Sequence, residues 1–238
     1  MRKNDISIIL QARMGSSRLP GKVLKSLAGK PMIQWIVERL KLCEKVDKLI
    51  LATSTLEQDQ PLVNLAEQLG IRIFRGSEND VLDRYYQCAK HHKIDYIIRA
   101  TGDNPFVDPI ECDKLIHYYL SRQLDYATIS TEPPGGFPLG VGVEIFNFSS
   151  LEKSWKEGHA PHHREHVNEY ILENPTLFIQ SKMTPPPEKN APEISLTVDT
   201  SEEFSFAEKL YVSYQNKFSS GFVSVPWVIK YLKNNIKE

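Results

Sequence analysis

The ten residues Arg13-Met14-Gly15-Ser16-Ser17-Arg18-Leu19-Pro20-Gly21-Lys22 put three cations, two hydroxyls and two glycines into one short stretch. Glycines let a backbone turn its amides toward an anion, serines add hydroxyl donors, and arginine and lysine supply charge. A polyphosphate suits that composition, although a solvated basic loop has the same one. The complementary chemistry is carboxylate: Asp103 lies in Thr101-Gly102-Asp103-Asn104-Pro105 and Asp199 in Val198-Asp199-Thr200. An aspartate facing a triphosphate calls for a bridging Mg²⁺, because two anions do not hold one another unaided. Each acid also has an ordinary explanation. Asp103 suits a turn or cap ahead of Asp108-Pro109, and Thr200 or Ser201 followed by Glu202-Glu203 suits a helix start.

Two further groups carry polar side chains in suggestive places. Glu144 alternates with apolar neighbours in Val143-Glu144-Ile145-Phe146, so it points either into a cleft or onto a solvated edge. In His159-Ala160-Pro161-His162-His163-Arg164-Glu165-His166, His162 and His166 have the four-residue spacing at which two imidazoles can share a metal. No cysteine or second histidine pair completes four ligands, so a structural zinc is not expected. The stretch reads as a polar helix start or as a pocket wall, in which Arg164 would suit a carboxylate.

The elements that must position these groups alternate regularly. Ile8-Ile9-Leu10 is a buried strand running into the cationic loop, and Pro31 to Leu42 is a helix with Pro31 in its first turn. Lys48–Ser54 is a strand, Leu62, Leu65, Ala66 and Leu69 mark a helix ended by Gly70, and Ile71–Phe74 is a third strand. Asp80 caps a helix, Tyr96–Thr101 is the fourth strand, Pro109–Arg122 a helix and Asp125–Ser130 the fifth strand. A Pro/Gly-rich flap covers Glu132–Gly142, Ser149 or Ser150 caps a helix holding Trp155, and Leu177–Met183 is a weak strand. A linker over Thr184–Pro192 leads to a buried strand, Ile194–Thr200, and the last helix is Pro226–Ile236. Such alternation implies a mostly parallel sheet covered on both faces, with ligands beyond the carboxyl ends of its strands.

Composition narrows the classes. With 238 residues the chain is expected to form one α/β domain. Lys plus Arg is 29 against 30 for Asp plus Glu, so the net charge of −1 gives no general attraction to nucleic acid or acidic membranes. No apolar run approaches a membrane span, and Met1-Arg2-Lys3-Asn4-Asp5 enters the first strand without a signal-peptide core, so a cytoplasmic protein is expected. Cys43, Cys88 and Cys112 lie far apart, without metal-ligand spacing, and read as buried free thiols.

The loop from Arg13 to Lys22, followed by Gly29-Lys30-Pro31-Met32, resembles the opening signature of the sugar cytidylyltransferases, which include the CMP-sialate and CMP-KDO synthetases. It is most similar to their spore coat polysaccharide biosynthesis branch. Gly-Ser-Glu-Asn-Asp-Val-Leu-Asp-Arg-Tyr-Tyr at 76–86, Gly-Asp-Asn-Pro at 102–105, Val-Glu-Ile-Phe at 143–146, Arg-Glu-His-Val at 164–167 and Val-Asp-Thr at 198–200 follow in family order. The resemblance implies a three-layer α/β/α nucleotide-diphospho-sugar transferase fold with a small dimerisation arm at about 135–183, and a homodimer. It implies CTP and a sugar acid as substrates, with CMP-sugar and pyrophosphate as products. Nucleotide contacts would come from Leu10, Gln11, Ala12, Arg13, Gly15, Ser16, Ser17, Arg18, Lys22, Asn79, Asp80 and Thr101. Arg13, Arg18, Lys22 and Asp103 would be catalytic, Asp103 and Asp199 would hold Mg²⁺, and Glu144, Arg164 and His166 would face the sugar. Gln11 stands where sialate and KDO enzymes usually have proline, which leaves the sugar open. A glycosyltransferase of the same fold would be expected to carry an Asp-x-Asp motif, which is missing from the chain. A non-catalytic nucleotide sensor would not need both loop cations and both acids.

Overall fold

The computed structural model describes residues 4–218 and 221–235; Met1–Lys3 and the expected helix end at Ile236 lie outside them. Strand β1 (Ile6–Gln11) buries Ile8, Ile9 and Leu10 completely, because both of its faces are covered. After the cationic loop comes a small hairpin, β2 (Ser26–Leu27) and β3 (Lys30–Pro31), and then helix α1 (Met32–Leu40). Pro31 is the extended residue before α1 rather than part of its first turn. Met32, Ile33, Ile36, Val37 and Leu40 of α1 are buried, each contributing about 1.5–3 kcal/mol of apolar transfer.

The chain continues through β4 (Lys48–Ser54), α2 (Gln60–Gln68), β5 (Arg72–Gly76), α3 (Val81–His92), β6 (Tyr96–Thr101) and α4 (Pro109–Ser121). The second half holds β7 (Tyr126–Ile129), β8 (Glu144–Asn147), α5 (Phe148–Glu157), α6 (Pro161–Glu165), α7 (Glu169–Glu173), β9 (Gln180–Met183), α8 (Ser201–Lys217) and α9 (Val225–Asn235). Seven strands form one sheet in the order β5-β4-β1-β6-β8-β7-β9. Of these, β8 alone runs against the rest, antiparallel to both β6 and β7. The stretch expected as an arm thus supplies β8 to the interior of the sheet, β9 to its edge, and the short helices between them. One core packs α1, α2, α4, α8 and α9 against one face, and a second packs α3, α5 and α7 against the other, giving three layers.

Two local expectations are corrected. Helix α5 is capped by Asn147, whose side chain accepts from Ser150 N at 2.7 Å, rather than by Ser149 or Ser150. The run Ile194–Thr200 is not a strand of the sheet. Leu196 N donates to Leu139 O at 2.9 Å and Val198 N to Asp103 O at 2.8 Å, so its backbone bonds go to two different loops and no ladder forms. The segment still buries Leu196 and Val198, as its apolar pattern requires. All three cysteines are buried free thiols, and burial pushes the Cys88 thiol up to about 12, which makes it inert.

Candidate functional site

The chain runs from β1 outward through β4 to β5, then returns to β6 on the other side of β1, so the strand order reverses between β1 and β6. A crevice beyond the carboxyl ends of these two strands follows from that reversal. Gly102 makes the closure possible: its amide donates to Gln11 O at 2.8 Å, and a Cβ there would lie 2.8 Å from the Ala12 Cβ. Above this junction opens a cavity of about 350 Å³.

Most of the expected loop residues line it: Gln11, Ala12, Arg13, Gly15, Ser16, Ser17, Arg18 and Lys22. Thr101, Asp103 and His166 join them from the other side. Gly21 turns the loop at φ 68°, a left-handed conformation natural to glycine, just before a 3₁₀ turn at Lys22–Leu24. That turn aims Lys22 inward. Its Nζ donates to Val198 O and to Asp199 Oδ1, each at 2.7 Å, while Arg18 Nη2 sits 2.9 Å from Asp199 Oδ2. Asp199 is held from behind, since its amide donates to Glu203 Oε2 at 2.6 Å and Thr200 and Glu203 form a capping box on α8. Asp103 accepts from the Thr101 hydroxyl through Oδ1, and its carbonyl receives Val198 N. Asp199 thus pairs with two loop cations without lining either cavity, while Asp103 lines the first cavity together with those cations and is tied to the Asp199 segment through its backbone. Both are hard oxygen donors, a set that fits Mg²⁺, with Asp199 shared with Arg18 and Lys22.

A second cavity of about 290 Å³ adjoins the first, and Arg99 and Thr101 line both. Glu144 lines it, directly opposite Arg99 in the β6–β8 register, with Arg99 Nη1 at 3.1 Å from Glu144 Oε1. Burial alone would lower the Arg99 pKa, but the adjacent Glu144 carboxylate raises it instead. Asn168 Nδ2 adds a bond to Glu144 Oε1 at 3.3 Å. Buried polar atoms without a partner gather here: Gln11 Oε1, Arg84 Nε, Arg99 Nε, Asn104 Oδ1 and Glu144 Oε2. Unmet polar groups cost stability, and here they are placed along the walls of the two cavities.

Other expected residues go elsewhere. Leu10 is fully buried, which leaves only its backbone for any contact. Asp80 caps α3 by accepting from Asp83 N at 2.8 Å. Arg164 places Nε and Nη2 on Asp80 Oδ2 at 2.9 and 2.6 Å and Nη1 on Trp155 O at 3.0 Å, so the two residues fasten α6 to α3. Neither lines either cavity, nor does Asn79.

Three residues to which the sequence reading gave no role stand at the cavities or hold their loop in place, Arg84 among them although it lies within the 76–86 motif. Asp59, fully buried, accepts from Met14 N at 2.7 Å and thereby pins the middle of the cationic loop. It also accepts from Thr53 Oγ1 and Ser54 N, and these donations hold its carboxyl below the usual range although burial alone would raise it. Arg84 reaches from α3 into the cavity wall, donating to Ser77 O, with its pKa lowered mainly by burial. Arg99 joins the two cavities.

The comparisons with known proteins agree with this geometry. Residues 7–224 match a family model described as cytidylyltransferase. The chain is 38% identical over 213 residues to the spore coat polysaccharide biosynthesis protein SpsF of Bacillus subtilis, covering 87% of each chain. It superposes on a cytidylyltransferase from Leptospira borgpetersenii with a TM-score of 0.89 at 32% identity, covering 98% of this chain and 96% of that one. A CMP:2-keto-3-deoxy-manno-octonic acid synthetase complexed with CTP shares the fold, with a TM-score of 0.66 at 21% identity over 89% of this chain and 100% of that one. A loop of cations pinned at the switch point of such a sheet, matched over almost the whole length, leaves one conclusion: the chain belongs to the cytidylyltransferase family and is a nucleotidyltransferase.

Proposed function

We propose that the protein activates a sugar, most simply a sugar acid, with CTP, releasing CMP-sugar and pyrophosphate for the synthesis of a surface polysaccharide. The observation that carries this reading is the cavity that Arg18, Lys22 and Asp103 line together, with Asp199 paired to both cations although it is not itself part of the lining. The triphosphate lies along Arg13–Lys22, and the sugar occupies the adjoining cavity lined by Glu144, with His166 on the wall of the first. A sugar hydroxyl attacks the α-phosphorus in line. The new O–P bond forms as the α–β bridging P–O bond breaks, its electron pair leaves with pyrophosphate, and the hydroxyl's proton is released to solvent. Negative charge grows on the leaving group, where Arg18, Lys22 and the loop amides are already in place to offset it. Arg13 is steadied for the same task by Glu78 O at 3.3 Å. Asp103 and Asp199 would hold Mg²⁺, which supplies charge neutralisation at phosphate oxygens and lowers the pKa of a nearby hydroxyl. Asp199 would keep lone pairs for the metal beside its bonds to Arg18 and Lys22, since each carboxylate oxygen can accept more than once.

A homodimer belongs to the same reading. Edge strand β9 is preceded by the exposed Leu177 and Ile179, an apolar margin of the kind a partner covers. The decisive experiment is a pyrophosphate-release panel crossing four nucleoside triphosphates with nonulosonic and octulosonic acids and with neutral sugars, in Mg²⁺. Turnover with CTP and at least one sugar supports the proposal; no reaction with any pair overturns it.

A further inference from the structure

Outside both cavities, α6 and α7 bring three side chains together: His162 and His163 from α6 and Glu173 from the end of α7. Their ligand atoms all lie within 4.8 Å of one another. Each imidazole turns its Nε2 to a different oxygen of the one carboxylate, His162 to Oε1 and His163 to Oε2, both at 2.7 Å. Consecutive helical residues ordinarily diverge by about 100° around the axis. These two converge, with ring centroids 4.2 Å apart.

We propose that His162, His163 and Glu173 form a binding site for a borderline divalent cation of the zinc class, separate from the transferase cavity. Two imidazole nitrogens and one carboxylate oxygen are a set such cations favour, whereas Mg²⁺ prefers oxygen ligands alone and belongs with Asp103 and Asp199. The ligand atoms of a tetrahedral zinc lie about 3.3 Å apart, so insertion asks the two 2.7 Å contacts to open by roughly half an ångström and the wider-spaced ligand atoms, all within 4.8 Å, to draw together. The half-exposed side chains of His162 and Glu173 can move that far and leave a path for the ion. His163 is the fixed member: it is buried, its ring packs edge-on against Tyr170 at 5.4 Å, and its Cβ sits where Gly158 leaves room.

The site would act on the catalytic wall. Between its ligands the chain carries Arg164, which holds Asp80 at the cap of α3; His166, which faces the first cavity; and Asn168, which bonds Glu144 in the second. An ion tying α6 to α7 fixes that segment at both ends.

The test uses the full chain stripped of metal by a chelator, then titrated with Zn²⁺ against a chromophoric competitor and, separately, with Co²⁺ followed by its visible absorption. One Zn²⁺ per chain is expected, undisturbed by millimolar Mg²⁺, with Co²⁺ giving the intense bands of a four-coordinate site. Glu173→Gln and His162→Ala should each weaken Zn²⁺ at least tenfold and remove the Zn²⁺-dependent rise in melting temperature, while Asp103→Asn keeps both. Absence of Zn²⁺ binding, a weak six-coordinate Co²⁺ spectrum in the wild type, or affinity unchanged in the two site variants but lost in Asp103→Asn would each overturn the proposal. None of these readouts depends on turnover.

Discussion

Lys22→Met is the substitution that separates a phosphate-binding lysine from a structural one. Methionine keeps the length and the apolar stem but removes the ammonium, which lies 2.7 Å from both Val198 O and Asp199 Oδ1. In the free protein the loss is modest. Asp199 keeps Arg18 at 2.9 Å, and its side chain is 24% exposed, so water takes over part of the lysine's work. Hydrogen bonds to charged groups are worth about 1.5–3 kcal/mol; discounted for solvent, the cost is about 1–2 kcal/mol. For a chain of this length that lowers the melting temperature by about 2–8 °C. The bound state loses more, because a fixed cation beside a triphosphate is not replaced by water once the cavity is filled. CTP affinity in Mg²⁺ should fall about 10–100-fold, and pyrophosphate release about 10²–10³-fold further in turnover. Calorimetric titration with CTP, well below the variant's melting temperature, needs no knowledge of the sugar. If affinity stays within threefold of wild type while the melting temperature drops as calculated, Lys22 merely fastens Val198 and Asp199, and the proposed orientation of the triphosphate is wrong.

Other outcomes follow from the same geometry. Asp59→Asn should cost about 1–3 kcal/mol at pH 7, read by urea unfolding, because the carboxylate accepts from Met14, Thr53 and Ser54. Its folded pKa lies below the ordinary 3.8, so its stabilisation is complete above that value and disappears as pH falls through the lowered one; the gap between wild type and variant should close below about pH 4, and a constant gap would refute the assignment. Lys189→Met strands Asp108 and Glu111, whose oxygens lie 2.6 and 2.8 Å from Nζ with all three residues buried, and should cost about 3–5 kcal/mol, partly recovered by adding Glu111→Gln. Asp103→Asn, like removal of divalent metal with a chelator, should reduce pyrophosphate release at least 100-fold; CTP binding measured without metal should stay within threefold, and a larger loss there would show that Asp103 orients the nucleotide directly.

The strand-helix alternation and the cationic loop were legible because each is written in neighbouring residues: apolar periodicity in Ile8–Leu10, glycine and charge in Arg13–Lys22. The pairing of Asp103 with Asp199 was suggested only by the family resemblance, and the structure joins their segments through Val198 N and Asp103 O, a contact that no local pattern encodes. Asp59 was missed because Glu57-Gln58-Asp59-Gln60-Pro61 reads as an ordinary helix entry, and its partner Met14 lies 45 residues upstream. The partner of Arg164 was illegible for the same reason: its charge was visible, but the Asp80 it pairs with is 84 residues away. Arg99 sits in a strand whose apolar pattern it interrupts, a usable signal, yet its pairing with Glu144 depends on the reversed direction of β8. Side-chain pairings across the fold follow register and topology, which periodicity does not encode.

The bond between Lys22 and Asp199 joins groups 177 positions apart, one from the first tenth of the chain and one from its last fifth. On the proposed mechanism, a polypeptide emerging from the ribosome has no complete site until the entry to α8 has docked, however well its earlier strands have paired. Turnover thus reports completion of folding: during refolding it should return with the slowest phase, after the sheet's circular dichroism has recovered.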